Sequence, residues 1–321
     1  MDIKKINAIA GSWVDKEFYG KVYPSLIEAG IPVFRQETLP LTRLYDDNYW
    51  WELRAAHRID FAVLDYHHWQ YDDAVFDKYL ERVASVRFPV MCIAECPFGF
   101  ERPLQVPPED FATKLFERTR KISTAIRYKH PDTILLSPGI GLIDEKLSRL
   151  YLDYFVHNRQ FFDGYAVHMC NTMREHVLGQ VSSFLNQVLA ILPKKLWITK
   201  WAIPVYDDKV INAQVIVPSG WEPYREQDAA QRLEHSFSFI ETVASTGSHW
   251  FYTGTGKDYY QPKKRVGAVA EFWNPVANSI TPSEYSHGWE YWHFLGLMNS
   301  SGEPKNLLIQ TLAQIAKYKN E

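Results

Sequence analysis

The chain has 321 residues, 46% hydrophobic and 23% charged, a globular composition that excludes a disordered or fibrous polymer. Thirty-five Lys and Arg against 38 Asp and Glu leave a formal charge of -3, and no Lys/Arg-rich block offers a nucleic acid a local field. No stretch reaches the ~20 apolar residues of a membrane span, and Met1-Asp2-Ile3-Lys4-Lys5 leads into no signal-peptide h-region, so a cytoplasmic location is expected.

Short apolar runs alternate with longer amphipathic ones along the whole chain. In order, the expected strands are Ile6–Ala10, Val33–Arg35, Phe61–Tyr66, Val90–Ala94, Thr133–Ser137, Gly164–His168, Leu196–Thr199 and His249–Tyr252. Each is apolar at nearly every position, which suits parallel strands covered on both faces. Between them lie helical patterns at Lys16–Ala29, Tyr49–Arg58, Ala74–Ser85, Pro108–Lys129, Glu145–Val156, His176–Leu192 and Glu226–Thr246, and Pro304–Tyr318 closes the chain. Early carboxylates in Pro107-Pro108-Glu109-Asp110 mark one helix start. Strand-then-helix units in this number predict a single (β/α)8 TIM barrel spanning 1–321 as one domain. An open dinucleotide-binding sheet would carry a glycine-rich turn after its first strand, where this chain has Gly11-Ser12-Trp13.

In such a barrel the chemistry belongs where strands run out into the following loops. Those ends bring together Arg35, Asp65, His67, His68, Trp69, Glu95, Ser137, His168, Lys200 and Trp201. Asp144, just before a helix, reads better as an N-cap than as a ligand contact. Eleven Trp, 19 Tyr and 18 Phe are more aromatics than a core of this size needs, and tryptophan faces suit flat, partly apolar ligands. Cys92, Cys96 and Cys170 match no zinc pattern, and no carboxylate at helical spacing joins His67 and His68. Neither a metal nor a cofactor is expected.

Three segments go further. They are Ile93-Ala94-Glu95-Cys96-Pro97 at the fourth strand, Ala125-Ile126-Arg127 leading to Pro131-Asp132-Thr133 before the fifth, and Leu196-Trp197-Ile198-Thr199-Lys200-Trp201-Ala202 at the seventh. Together they resemble the clan of retaining (β/α)8 glycoside hydrolases. The resemblance implies an acid/base at Glu95, a strand-two arginine at Arg35, a strand-six histidine at His168 and a sugar-stacking tryptophan near Trp250. It implies a carbohydrate or glycoside ligand as well. The departures carry more information. Ala94 stands where the clan keeps an asparagine, Cys170 where it keeps a tyrosine, and Lys200 where it keeps the nucleophilic glutamate.

Retaining hydrolysis needs two carboxyl groups ~5 Å apart, one attacking and one protonated. An ammonium at Lys200 does not attack the anomeric carbon, and beside Glu95 it would hold that acid in its carboxylate form. Four readings stay open. The first is a barrel that binds carbohydrate without standard hydrolysis. In the second, Glu95 remains the acid and Asp65, Asp207, Glu222 or Glu271 serves as the second carboxylate. In the third, Lys200 acts as a Schiff-base nucleophile, against which stands a paired Glu95 that would raise the lysine pKa. In the fourth, Glu95 and Lys200 form only a structural ion pair. His67, His68 and Trp69 are expected to line the site, with Trp201 and Trp250 the favoured sugar platforms and Trp273 a weaker one.

Overall fold

The computed structural model describes residues 3–10, 16–39, 61–64, 72–93, 108–139, 153, 156–168, 175–191, 195–203, 205, 224–244, 248–253, 296–299 and 301–320. Eight parallel strands close into a barrel in chain order: β1 Ile6–Ala10, β2 Val33–Leu39, β3 Phe61–Leu64, β4 Val90–Cys92, β5 Ile134–Leu136, β6 Gly164–His168, β7 Lys195–Trp201 and β8 His249–Tyr252. β8 returns to β1 through pairs such as Ile6–Trp250 and Ala8–Tyr252. Closure leaves no open sheet edge, and the expected (β/α)8 barrel is the observed fold.

The described helices are α1 Lys16–Lys21, α2 Tyr23–Glu28, α3 Asp73–Ser85, α4 Pro108–Lys129, α5 Glu175–Ile191, α6 Glu226–Ala244 and α7 Asn306–Asn320. The single helix expected at Lys16–Ala29 is two, with Pro24 in the first turn of the second. A proline has no N–H to give the preceding turn, and its ring crowds the carbonyl four residues back, so the helix restarts at its N-terminus. Asp72 starts α3 by accepting the Val75 N–H at 2.8 Å. The helix expected at Tyr49–Arg58 lies outside the described residues. Of the pattern at Glu145–Val156, only 153 and 156 are described.

Alternation along the strands divides the buried residues into two cores. Inside the barrel lie Ile9, Val63, Val90, Cys92, Leu136 and Ala166, with four aromatics, Phe34, Phe61, Trp197 and Phe251. Phe251 is the hub of that layer: Phe34, Phe61 and Trp197 have ring centroids 5.5, 5.4 and 5.8 Å from it. Gly164 makes room for Trp197, since a Cβ there would stand 2.6 Å from the indole and 2.8 Å from the Lys195 carbonyl. Outside the barrel, the alternate strand positions, such as Ala8, Leu64, Ile93, Val167 and Ile198, pack under the helices.

The last helix fastens the shell at both ends. Glu226 Oε1 accepts the N–H groups of Leu307 and Leu308 at 2.7 and 3.2 Å, occupying donors that the first turn of α7 leaves without helical partners. Asn320 accepts from Ile6 N at 2.8 Å and donates to the Ile6 carbonyl at 3.0 Å, tying the end of α7 to β1. No described helix is long and apolar enough to cross a membrane.

Candidate functional site

The strand that matters most departs from regular alternation. On β7, Trp197 faces the interior, while Leu196 and Ile198 face the helices. Unbroken alternation would then send Lys200 outward and Trp201 inward. Against β6, however, Val167 pairs with Ile198 and the next pair is His168 with Lys200. Against β8, Ile198 pairs with Trp250 and the next pair is Trp201 with Tyr252. β7 thus carries one residue more than either neighbour over the same span. This is a bulge, a device that re-aims the side chains following it. Thr199 lies in the bulged span, buried, with its hydroxyl donating to the Val167 carbonyl at 3.5 Å.

The consequence is an exchange of faces. Trp201 joins Trp250 and Tyr252 in the outer core. Lys200 turns inward, near enough to Cys92 on β4 for a thiolate there to favour its ammonium. Residue Lys200 keeps partial solvent exposure, yet burial lowers its amine from the ordinary 10.5 to about 8, with Cys92 opposing the shift. At neutral pH the group is mainly an ammonium, with an accessible neutral form.

Beneath it, the described inner layer is uncharged. Cys92 is in no disulfide and donates its S–H to the Ser137 carbonyl at 3.2 Å. The Ser137 hydroxyl donates to the Pro138 carbonyl and accepts the Ala166 N–H, both at 3.0 Å, so it latches β5 to β6. Cys92 shares the inward face with Val90, two residues earlier on the strand. No sequence signal marked it as the neighbour of Lys200, because the two are brought together only across the barrel.

Both expected sugar platforms on described strands are corrected by these contacts. Trp201 and Trp250 are each 0% exposed, packed between the barrel wall and α6. Their rings meet edge to face at 4.8 Å, with Phe237 of α6 4.8 Å from Trp250. The Trp250 indole N–H is spent on Glu241 Oε1 at 3.0 Å. A fully enclosed ring offers a ligand no face, so these two are core residues.

For Arg35 and His168 the description extends to the strand backbone: Arg35 pairs with Ala10 and His168 with Lys200. Asp65, His67, His68, Trp69, Glu95, Asp207, Glu222, Glu271 and Trp273 lie outside the described residues.

No family model matches the sequence, and no curated protein matches it. Solved structures do match in fold. A thermostable xylanase mutant from Cellvibrio japonicus superposes with a TM-score of 0.58 at 11% identity, covering 99% of this chain and 98% of that one. A fungal β-1,4-galactanase gives 0.53 at 12%, covering 90% and 89%. A glucosidase from Croceicoccus marinus gives 0.53 at 10%, covering 98% and 68%. At such identities the likeness establishes the (β/α)8 barrel fold and nothing about its chemistry.

Proposed function

We propose that the protein is a glycoside-hydrolase-like barrel that binds carbohydrate in the cleft at its strand ends and lacks standard retaining hydrolysis. One observation supports this reading: the bulge on β7 brings the amine of Lys200 toward Cys92 in the barrel interior. By the resemblance at the seventh strand, that is where an attacking carboxylate belongs. A lysine there forms no hydrolysable glycosyl ester. Its ammonium also opposes the positive charge of an oxocarbenium-like transition state. The sugars named for the xylanase, galactanase and glucosidase barrels support a carbohydrate ligand.

The decisive experiment is Lys200→Glu with activated aryl glycosides, together with a glycan array on the wild type. The substitution should create hydrolysis where the wild type has none. Wild-type turnover that persists unchanged in Lys200→Ala would transfer the chemistry to Glu95 with Asp65, Asp207, Glu222 or Glu271, and the reading would fall.

A second reading has one observation in its favour. With its pKa lowered to about 8, Lys200 has a substantial neutral fraction in mildly alkaline solution, as a Schiff-base nucleophile requires. Borohydride in the presence of an open-chain aldose should then trap an adduct on Lys200. An absent adduct removes this alternative.

A further inference from the structure

At the strand starts, the opposite end of the barrel from Lys200, a histidine sits on the seam where the sheet closes. His249 opens β8, in register with Trp197 of β7, and meets the segment that leads into β1. Its ring lies 4.2 Å from the Trp197 indole, centroid to centroid, with the planes 30° apart. Its Nδ1 is 3.0 Å from the Lys4 carbonyl. A carbonyl only accepts, so Nδ1 carries the hydrogen, and a further proton would go to Nε2. The same seam is held by the Trp250 N–H, which donates to the Lys5 carbonyl at 2.6 Å. The Asn7 amide joins it, donating to the Lys4 carbonyl at 2.6 Å and to the Trp250 carbonyl at 3.4 Å.

The charges around this ring are mostly of one sign. Lys195 at the start of β7 and Lys5 before β1 both act on it, and Lys4 belongs to the segment it bonds. Among the described residues, Glu241 of α6 is the acid whose charge reaches the ring. That carboxylate already accepts the Trp250 indole N–H at 3.0 Å and lies 3.7 Å from Lys319. Asp2 and Lys194, adjacent in sequence, lie outside the described residues.

We propose that His249 is a proton-operated catch on the closing seam of the barrel: the neutral ring holds β8 to the segment before β1, and a proton on Nε2 releases it. Burial weighs most against an imidazolium here, and Lys195 and Lys5 add to it, while the Lys4 carbonyl and Glu241 favour it. The balance puts the ring's pKa below the ordinary 6.5. A ring that has left the seam for water therefore takes its proton first as the pH falls. The hold of His249 on the seam is complete above about pH 6.5, declines as pH drops toward the folded value, and is constant below it. Local opening is the least costly way to hydrate the ring. It gives up one hydrogen bond and the Trp197 contact, and the Lys4 carbonyl keeps its bond to Asn7. The catch lies away from Lys200 and does not depend on what the strand ends bind.

Side-chain NMR on the intact protein follows the His249 titration, assigned with His249→Gln, whose amide can still donate to Lys4 but does not titrate. Hydrogen exchange at the Trp250 amide, corrected for its intrinsic pH dependence, reports the seam. The Ala8 amide, bonded to the Pro32 carbonyl on the β2 side, is the reference. Between about pH 7.5 and about pH 5, opening at Trp250 should increase roughly tenfold for a ring whose pKa lies one unit below the ordinary value. Neither Ala8 nor His249→Gln should show that rise. Lys195→Glu, at an exposed position, exchanges a repelling charge for an attracting one, so it should raise the His249 pKa and remove the rise. The proposal is overturned by a wild-type His249 that titrates at or above its ordinary value, or by ring protonation without faster exchange at Trp250. An equal rise at Ala8, or one that persists in His249→Gln or Lys195→Glu, overturns it as well.

Discussion

Trp201 lies edge to face against Trp250, ring centroids 4.8 Å apart and planes at 62°, on the outer wall of the barrel beneath α6. Tryptophans at these strand ends look like ligand platforms in the sequence, and in the folded chain they are the seal between sheet and helix. Trp250→Ala is expected to cost about 3–5 kcal/mol, since a buried indole leaves a cavity that the wall does not close. Trp250→Phe should cost less, mainly the orphaning of Glu241, which also lies 3.7 Å from Lys319. Urea titrations measure both. If instead Trp250→Phe abolishes sugar binding at full stability, the placement of this ring in the core is wrong.

Lys200 makes stability depend on pH in a defined direction. Its folded pKa, about 8, lies below the unfolded value near 10.5. Between those values the unfolded chain holds a proton that the folded chain has released, so this group's contribution to stability rises with pH across that window. The gain is on the order of 2 kcal/mol, allowing for partial solvation of the residue. Other lysines and tyrosines titrate nearby, so the measurement is the difference between wild type and Lys200→Met from about pH 7 to about pH 10.5. That difference should narrow or change sign with rising pH. A pH-independent difference would mean the amine titrates as in water.

Gly164 marks the tightest packing inside the barrel. A methyl group there meets the Trp197 indole at 2.6 Å and the Lys195 carbonyl at 2.8 Å. The indole is itself confined by Phe251 and by His249, 4.2 Å away between ring centroids. Gly164→Ala is therefore expected to destabilise by about 2–3 kcal/mol through overpacking. Pairing it with Trp197→Leu should recover part of the loss, and thermal melts of the double-mutant cycle would read the coupling.

At the start of α7, Glu226 performs a capping task from another helix. Glu226→Ala should cost about 1–2 kcal/mol and accelerate amide exchange at Leu307 and Leu308, whose N–H groups it accepts. Glu226→Gln keeps an acceptor oxygen and should be milder. Unchanged exchange at those two amides in Glu226→Ala would rule out the cap.

Strands buried on both faces announce themselves as continuous apolar runs, which is why β1, β6 and β8 begin and end where the sequence places them. β2 runs on to Leu39 because Gln36 through Leu39 find partners on β3, an extension that composition does not reveal. The split between α1 and α2 is legible at Pro24, although the apolar periodicity continues across it. The misassigned Trp201 was not legible, since Leu196-Trp197-Ile198-Thr199-Lys200-Trp201 contains neither a glycine nor a proline to signal an irregularity.

The order of elements, the parallel closed sheet and the presence of a lysine at the end of the seventh strand are properties of the linear chain, because local periodicity and two-sided burial act within each segment. Which way that lysine faces is not. Its direction depends on an extra residue relative to β6 and β8, and a register exists only between paired strands. The tertiary structure therefore decided that an amine rather than an indole turns toward the barrel interior.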